Sequence, residues 1–148
     1  MFHPPIYPRY CRASSVLQKN AKVYGPAHAL DTDNVSSCWN SEGNQGDTHW
    51  LSIDFGRTVC VQQIKVQFQA GFAAESGLMQ VLPTDGSGKW ETAQELEFED
   101  TYEMQTEATT ETNENGHTTT AVRFVFQDFT DFYGRVTIYR LEIWGKEV

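Results

Sequence analysis

With 148 residues, 39% of them hydrophobic and 13% aromatic, the chain suits one domain built around one core. No apolar run reaches the roughly 20 residues a membrane-spanning helix needs, and a net charge of −9 opposes binding to phosphate backbones and anionic lipid. Abundant aromatics and threonines favour pleated, half-buried strands over helices.

The first nine residues carry Pro4, Pro5 and Pro8 and predict a disordered tail, followed by a single domain over 10–148. The opening stretch has no continuous apolar core and does not read as a signal peptide, so the chain is expected to stay inside the cell. Cys11, Cys38 and Cys60 are an odd number, widely spaced, without the paired spacing of zinc ligands. They are expected to be free thiols in a reducing compartment. Arg9, Arg12, Lys19 and Lys22 precede the first acid, Asp31, which makes the beginning of the chain basic.

Strand signals follow in short, alternating pieces. In HWLSIDF, Leu51, Ile53 and Phe55 share one face and Trp50, Ser52 and Asp54 the other, and Gly56 is expected to end the strand. In the next segment Val59 and Val61 are odd while Ile64, Val66 and Phe68 are even, which predicts a β-bulge near Gln62 and Gln63. Further strands are predicted at 78–82, at 94–98, around Met104 to Thr110, and at 120–127 with Val122, Phe124 and Phe126 inward. The last strand changes phase at Tyr139 and Arg140, between Val136 and Ile138 on one side and Leu141 and Ile143 on the other. Between Glu91 and His117 stand nine acids and no Lys or Arg, read as a solvated surface hairpin. About eight strands with bends of this kind, and no amphipathic helix, predict an all-β fold: an antiparallel β-sandwich or jelly roll.

The run LDTDNVSSCWNSEGNQGDTHWLSIDFG resembles the opening half of the discoidin (coagulation factor type C) family. Asp31 occupies the place of its acid, Ser37 of its hydroxyl residue, Trp39 and Trp50 of its paired tryptophans, and Asp54 and Gly56 of its strand end. Arg140, Leu141, Glu142, Ile143, Trp144 and Gly145 resemble the family's closing pattern. The resemblance implies a galactose-binding-like β-sandwich. Trp39 and Trp50 are expected to bracket the loop between them as a structural clasp, with Asp31 accepting backbone N–H bonds. Secreted members tie a cysteine near the start to one after the final glycine, and this chain has none there. Carbohydrate-binding members often hold calcium with a glutamate on the last strand, where this chain has Arg140. No metal or cofactor is therefore expected, and Arg140 is expected to pair with Asp31 or another neighbour.

Within the family, IKVQFQAGF and DFTDFYGRVTIYRLEIWG resemble an intracellular branch associated with an orphan nuclear receptor. That resemblance implies a nuclear location, a receptor as partner, and repression by hindering the receptor's attachment to DNA response elements. It implies binding without catalysis. The four histidines accompany no nucleophile elbow, phosphate loop or zinc motif, and His49 is read as structural. Discoidin modules bind with loops at one end of the sandwich. The candidate contacts are Asn40, Asn44 and Gln45 in the first loop, Phe72 and Glu75 in 70–77, and Phe132 and Tyr133 in the last. Phe72 is read as equally ready to project or to fold back. Phe129, Phe132 and Tyr133 are expected mainly to pack inward, with Tyr133 the most exposed of them. The alternative is a carbohydrate-binding module of the same fold. Lipid binding is disfavoured because the loops at 40–48 and 70–77 hold no base.

Overall fold

The two alternating segments at 49–55 and 59–69 turn out to be one strand in the computed structural model, which describes residues 6–31, 33, 37–43, 46–108 and 116–148. The chain runs through β1 (Tyr10–Ala13), β2 (Trp39–Asn40), β3 (His49–Phe68), β4 (Ala74–Val81), β5 (Glu91–Glu97), β6 (Gln105–Ala108), β7 (His117–Phe129) and β8 (Thr137–Glu147). Gly56 does not terminate β3. It adopts φ +69°, its N–H is held by Asp54 Oδ1 at 2.7 Å, and the strand continues with a shifted register against β7 between Asp54 and Val59.

That bend lets β3 serve both layers of the sandwich, with every pairing antiparallel. Its first half pairs β1 and β7, and β7 leads on through β4 to β5. Its second half pairs β6 and β8, and β8 carries β2. Both predicted slips are present: Gln62 is the extra residue between the pairs Val61↔Gly145 and Gln63↔Trp144, and Tyr139 is the extra one between Arg140 and Ile138. Each bulge keeps Val59, Val61, Ile64, Val66 and Phe68, or Val136, Ile138, Leu141 and Ile143, on the buried side despite the change of parity.

Between the layers, Trp39, Phe68, Phe98, Phe124 and Phe126 form the aromatic centre of the core. Phe126 lies 6.1 Å from the Trp39 ring and 6.3 Å from Phe68. Each aromatic side chain removes roughly 150–250 Å² from water, so this group supplies much of the driving force for closing the sandwich.

Several expectations need correction. Residues 1–5 of the predicted tail lie outside the described residues, while Ile6, inside that predicted tail, is tied to the fold. Ile6 is buried, and its N–H donates to the Ile143 carbonyl at 2.6 Å. The 70–77 loop is shorter than read, because β4 already starts at Ala74. The acidic stretch is not a hairpin: β5 pairs β4 in one layer and β6 pairs β3 in the other. The Gln94 side chain reaches from β5 to β6, its Nε2 donating to the Ala108 carbonyl at 3.1 Å, and 109–115 lie outside the described residues. Short helical turns at Leu17–Lys19, Ala21–Tyr24 and Ala27–Leu30 fill the connection from β1 to β2.

Candidate functional site at the loop end

Three loops meet beside the start of β3. Ser41, fully buried, bonds Val136 in both directions: its N–H donates to the Val136 carbonyl at 3.0 Å and its Oγ accepts from the Val136 N–H at 2.9 Å. Gly43 lies so close to the last loop that a Cβ there would sit 2.8 Å from the Tyr133 carbonyl oxygen. The Phe72 carbonyl accepts from Thr137 N–H at 3.0 Å, and Thr130 and Ala73 bond each other through backbone and hydroxyl. The structure thus brings together Asn40, Phe72, Phe132 and Tyr133 from separate parts of the sequence. Asn44 and Gln45 lie outside the described residues. Glu75 stands exposed on β4, with no side-chain bond to this cluster among the described residues.

The turn at 131–135 is stiffened by one carboxylate. Asp131 Oδ2 accepts from the Tyr133 and Arg135 backbone N–H groups at 3.2 and 3.1 Å, and its two oxygens take the Arg135 fork at 2.8 and 3.2 Å. The Arg135 side-chain hydrogen bonds hold the Asp131 carboxyl below its ordinary range. The Arg135 guanidinium then lies 5.0 Å from the Phe72 ring centroid and 5.5 Å from Tyr133. Phe72 is therefore half-buried under a cation, neither fully projecting nor folded into the core. Phe132 reverses the inward expectation. It is 93% exposed, against 53% for Tyr133, because the Asp131-anchored turn places it at the tip, and its ring meets Tyr133 edge-on at 5.2 Å.

His49 roots this loop in the fold. Its Nε2–H donates to the Gly134 carbonyl at 2.9 Å, leaving Nδ1 to accept from the Ser14 hydroxyl at 3.2 Å, and the Phe129 ring abuts it edge-on at 5.1 Å. Burial lowers its pKa from the ordinary 6.5.

The residues of the closing and opening patterns play unlike parts. Asp31 Oδ1 accepts from the Asp33 N–H at 3.0 Å, as a turn-forming acid does, and Ser37 Oγ reaches the His28 carbonyl at 3.5 Å. Arg140 reaches Glu142 at 3.6 Å on its own strand. Gly145 permits close packing: a Cβ there would lie 1.9 Å from the Cys60 carbonyl oxygen. Trp39 is fully buried and its Nε1–H donates to the Ser15 carbonyl at 3.0 Å. Trp50 departs from the expected clasp. It belongs to the outward face of β3 with Ser52 and Asp54 and stays half-buried. Asp131 and Arg135, which stiffen the candidate loop at 131–135, are not among the site residues expected from the sequence, although their i,i+4 spacing across a glycine turn is visible there.

These features define a discoidin sandwich, and the chain belongs to the F5/8 type C domain family, which it matches over residues 11–140. Its curated relatives include Nuclear receptor 2C2-associated protein of Bos taurus, 34% identical over 151 residues and covering 99% of each chain. The Homo sapiens protein of the same name is 32% identical over 149 residues, covering 100% of each. Among solved structures, chitosan-binding module 1 of the chitosanase/glucanase from Paenibacillus sp. IK-5 superposes with a TM-score of 0.76 at 20% identity, over 97% of this chain and 100% of that one. At that identity the likeness speaks for the fold alone.

Proposed function

We propose that this chain is a protein-binding module that acts without catalysis, that its partner is a nuclear receptor, and that contact is made through the loop end around Phe132. The observation that carries the surface is a phenylalanine 93% exposed on a turn already locked by Asp131 and Arg135. A rigid aromatic anchor gains contact area on binding while losing little conformational freedom. The full-length likeness to relatives named for nuclear receptor association supports a receptor as the partner. Binding there represses transcription in the nucleus by hindering the receptor's attachment to its response elements. The acidic β5 and β6 segments help by offering carboxylates to basic surfaces that otherwise face phosphate.

Affinity purification of the tagged chain from cells, with its localisation, tests the partner; pull-down of the purified receptor with Phe132→Ala and Tyr133→Ala tests the surface. Both variants are expected to weaken capture. Unchanged capture by the double variant rejects the surface, and a protein found only outside the nucleus rejects the receptor reading. Carbohydrate binding fits less well because the Phe132 and Tyr133 rings stand at 88° to each other and offer no shared flat platform. A glycan array with strong, Phe132-dependent hits would reverse that preference.

A further inference from the structure

The outward face of the sheet carries a second feature, remote in character from the loop end. Tyr10, Arg12, Trp50, Asp54, Trp90 and Arg123 line an open groove of about 340 Å³ across β1, β3, β7 and the connection from β4 to β5. Strand register explains the arrangement. Arg12 stands opposite Ser52, and Ser52 opposite Arg123, so the two arginines flank β3 in one row. With strands spaced about 4.8 Å apart, their attachment points are separated by about 10 Å.

The charge in this groove is poorly compensated. Arg123 lies on the Trp90 ring at 4.9 Å, and its Nε donates to the neutral Gln80 side chain at 2.7 Å. Desolvation lowers its pKa from the ordinary arginine value, as expected for a cation without a paired acid. The Arg12 side chain makes no bond among the described residues. The groove's one acid, Asp54, already accepts the Gly56 N–H. Arg9 adds a further guanidinium 5.9 Å from the Tyr10 ring. Two of the three aromatic rings thus have a guanidinium near a face that a sugar would stack on, and the groove presents cationic donors instead.

We infer that this groove binds an acidic peptide, an extended segment whose carboxylates engage Arg12 and Arg123 together. Side chains on one face of an extended peptide repeat every ~6.8 Å, within the combined reach of two flexible arginines about 10 Å apart. A long polyanion is disfavoured: the nine-acid stretch begins at Glu91, directly after Trp90 on the groove's rim, and repels nucleic acid or an anionic membrane more than a short peptide. This surface is independent of the loop-end reading.

The test titrates the intact protein with a fluorescein-labelled octapeptide of alternating Glu and Ser, reading anisotropy, with a Gln-Ser octapeptide as control. Arg12→Gln combined with Arg123→Gln is expected to weaken binding roughly tenfold or more, and Arg123→Lys to weaken it less, because charge remains but the planar fork is lost. Phe132→Ala is expected to leave it unchanged. Should Arg123→Gln melt early, Arg12→Gln at an exposed site carries the comparison alone. Equal binding of the Gln-Ser control, or insensitivity to both arginines, overturns the inference. So does tighter, arginine-dependent binding of a single-stranded oligonucleotide or phosphatidylserine vesicles.

Discussion

Arg135 and Arg123 are built into similar aromatic settings and end in opposite electrostatic states. At the loop end, Arg135 lies between Phe72 and Tyr133 and is neutralised by the two oxygens of Asp131. On the sheet face, Arg123 lies on Trp90 and is anchored only by an amide. The first guanidinium is spent on rigidity, so what remains to meet a partner is the aromatic tip. The second is held in place yet keeps its charge. The same pair of residue types therefore yields an apolar docking point in one place and a cationic one in the other, decided by a single carboxylate.

Variants can separate the two regions. His49→Ala removes the bond to Gly134 and leaves a cavity under the loop end, and is expected to cost about 3 kcal/mol in urea denaturation without altering acidic-peptide binding at the groove. Asp131→Ala is expected to cost about 2 kcal/mol, since it removes four accepted hydrogen bonds. It also unpairs Arg135, so the loop end should acquire affinity for the Glu-Ser octapeptide; no such gain would break the comparison. Phe132→Ala should weaken receptor capture about tenfold, roughly 1.4 kcal/mol, with stability unchanged within about 0.5 kcal/mol. The smallest effect concerns acid. His49 has a lowered pKa in the fold, so its neutral form is favoured there, and its contribution is complete above the ordinary 6.5 and is lost as pH falls through that value toward the depressed one. Stability measured by urea denaturation should therefore fall between pH 7 and 5.5, and fall less in His49→Ala.

Much of the sandwich was legible because parity is a strong signal in strands. The shifts at Gln62 and Tyr139 could be read from which residues were apolar, since a bulge is the only way to keep both halves of such a strand facing the core. The hydrophobicity of Phe132 argues for burial, and its position at the tip of an Asp131-anchored turn overrides that preference. A glycine in a strand ordinarily signals a stop, yet at Gly56, with Asp54 bonding its N–H, it makes a bend within the strand. The groove was invisible for a different reason. Trp50, Ser52 and Asp54 could be placed on one face, but Arg12 and Arg123 join them only through pairings between distant segments.

The length of β3 also bears on how the chain acquires its shape. β3 pairs with β1, β6, β7 and β8, none of which adjoins it in sequence, while the β4–β5 pair alone among these ladders joins consecutive strands. A nascent chain therefore carries a 20-residue apolar-faced strand with most of its partners still to come. Loop-closure entropy must be met before those contacts stabilise anything, which places refolding in the millisecond-to-second range typical of sandwiches dominated by distant pairings. During that interval the exposed edge is a template for self-association, so refolding yield is expected to fall with protein concentration while the finished fold, with both halves of β3 paired on either side of the Gly56 bend, is spared.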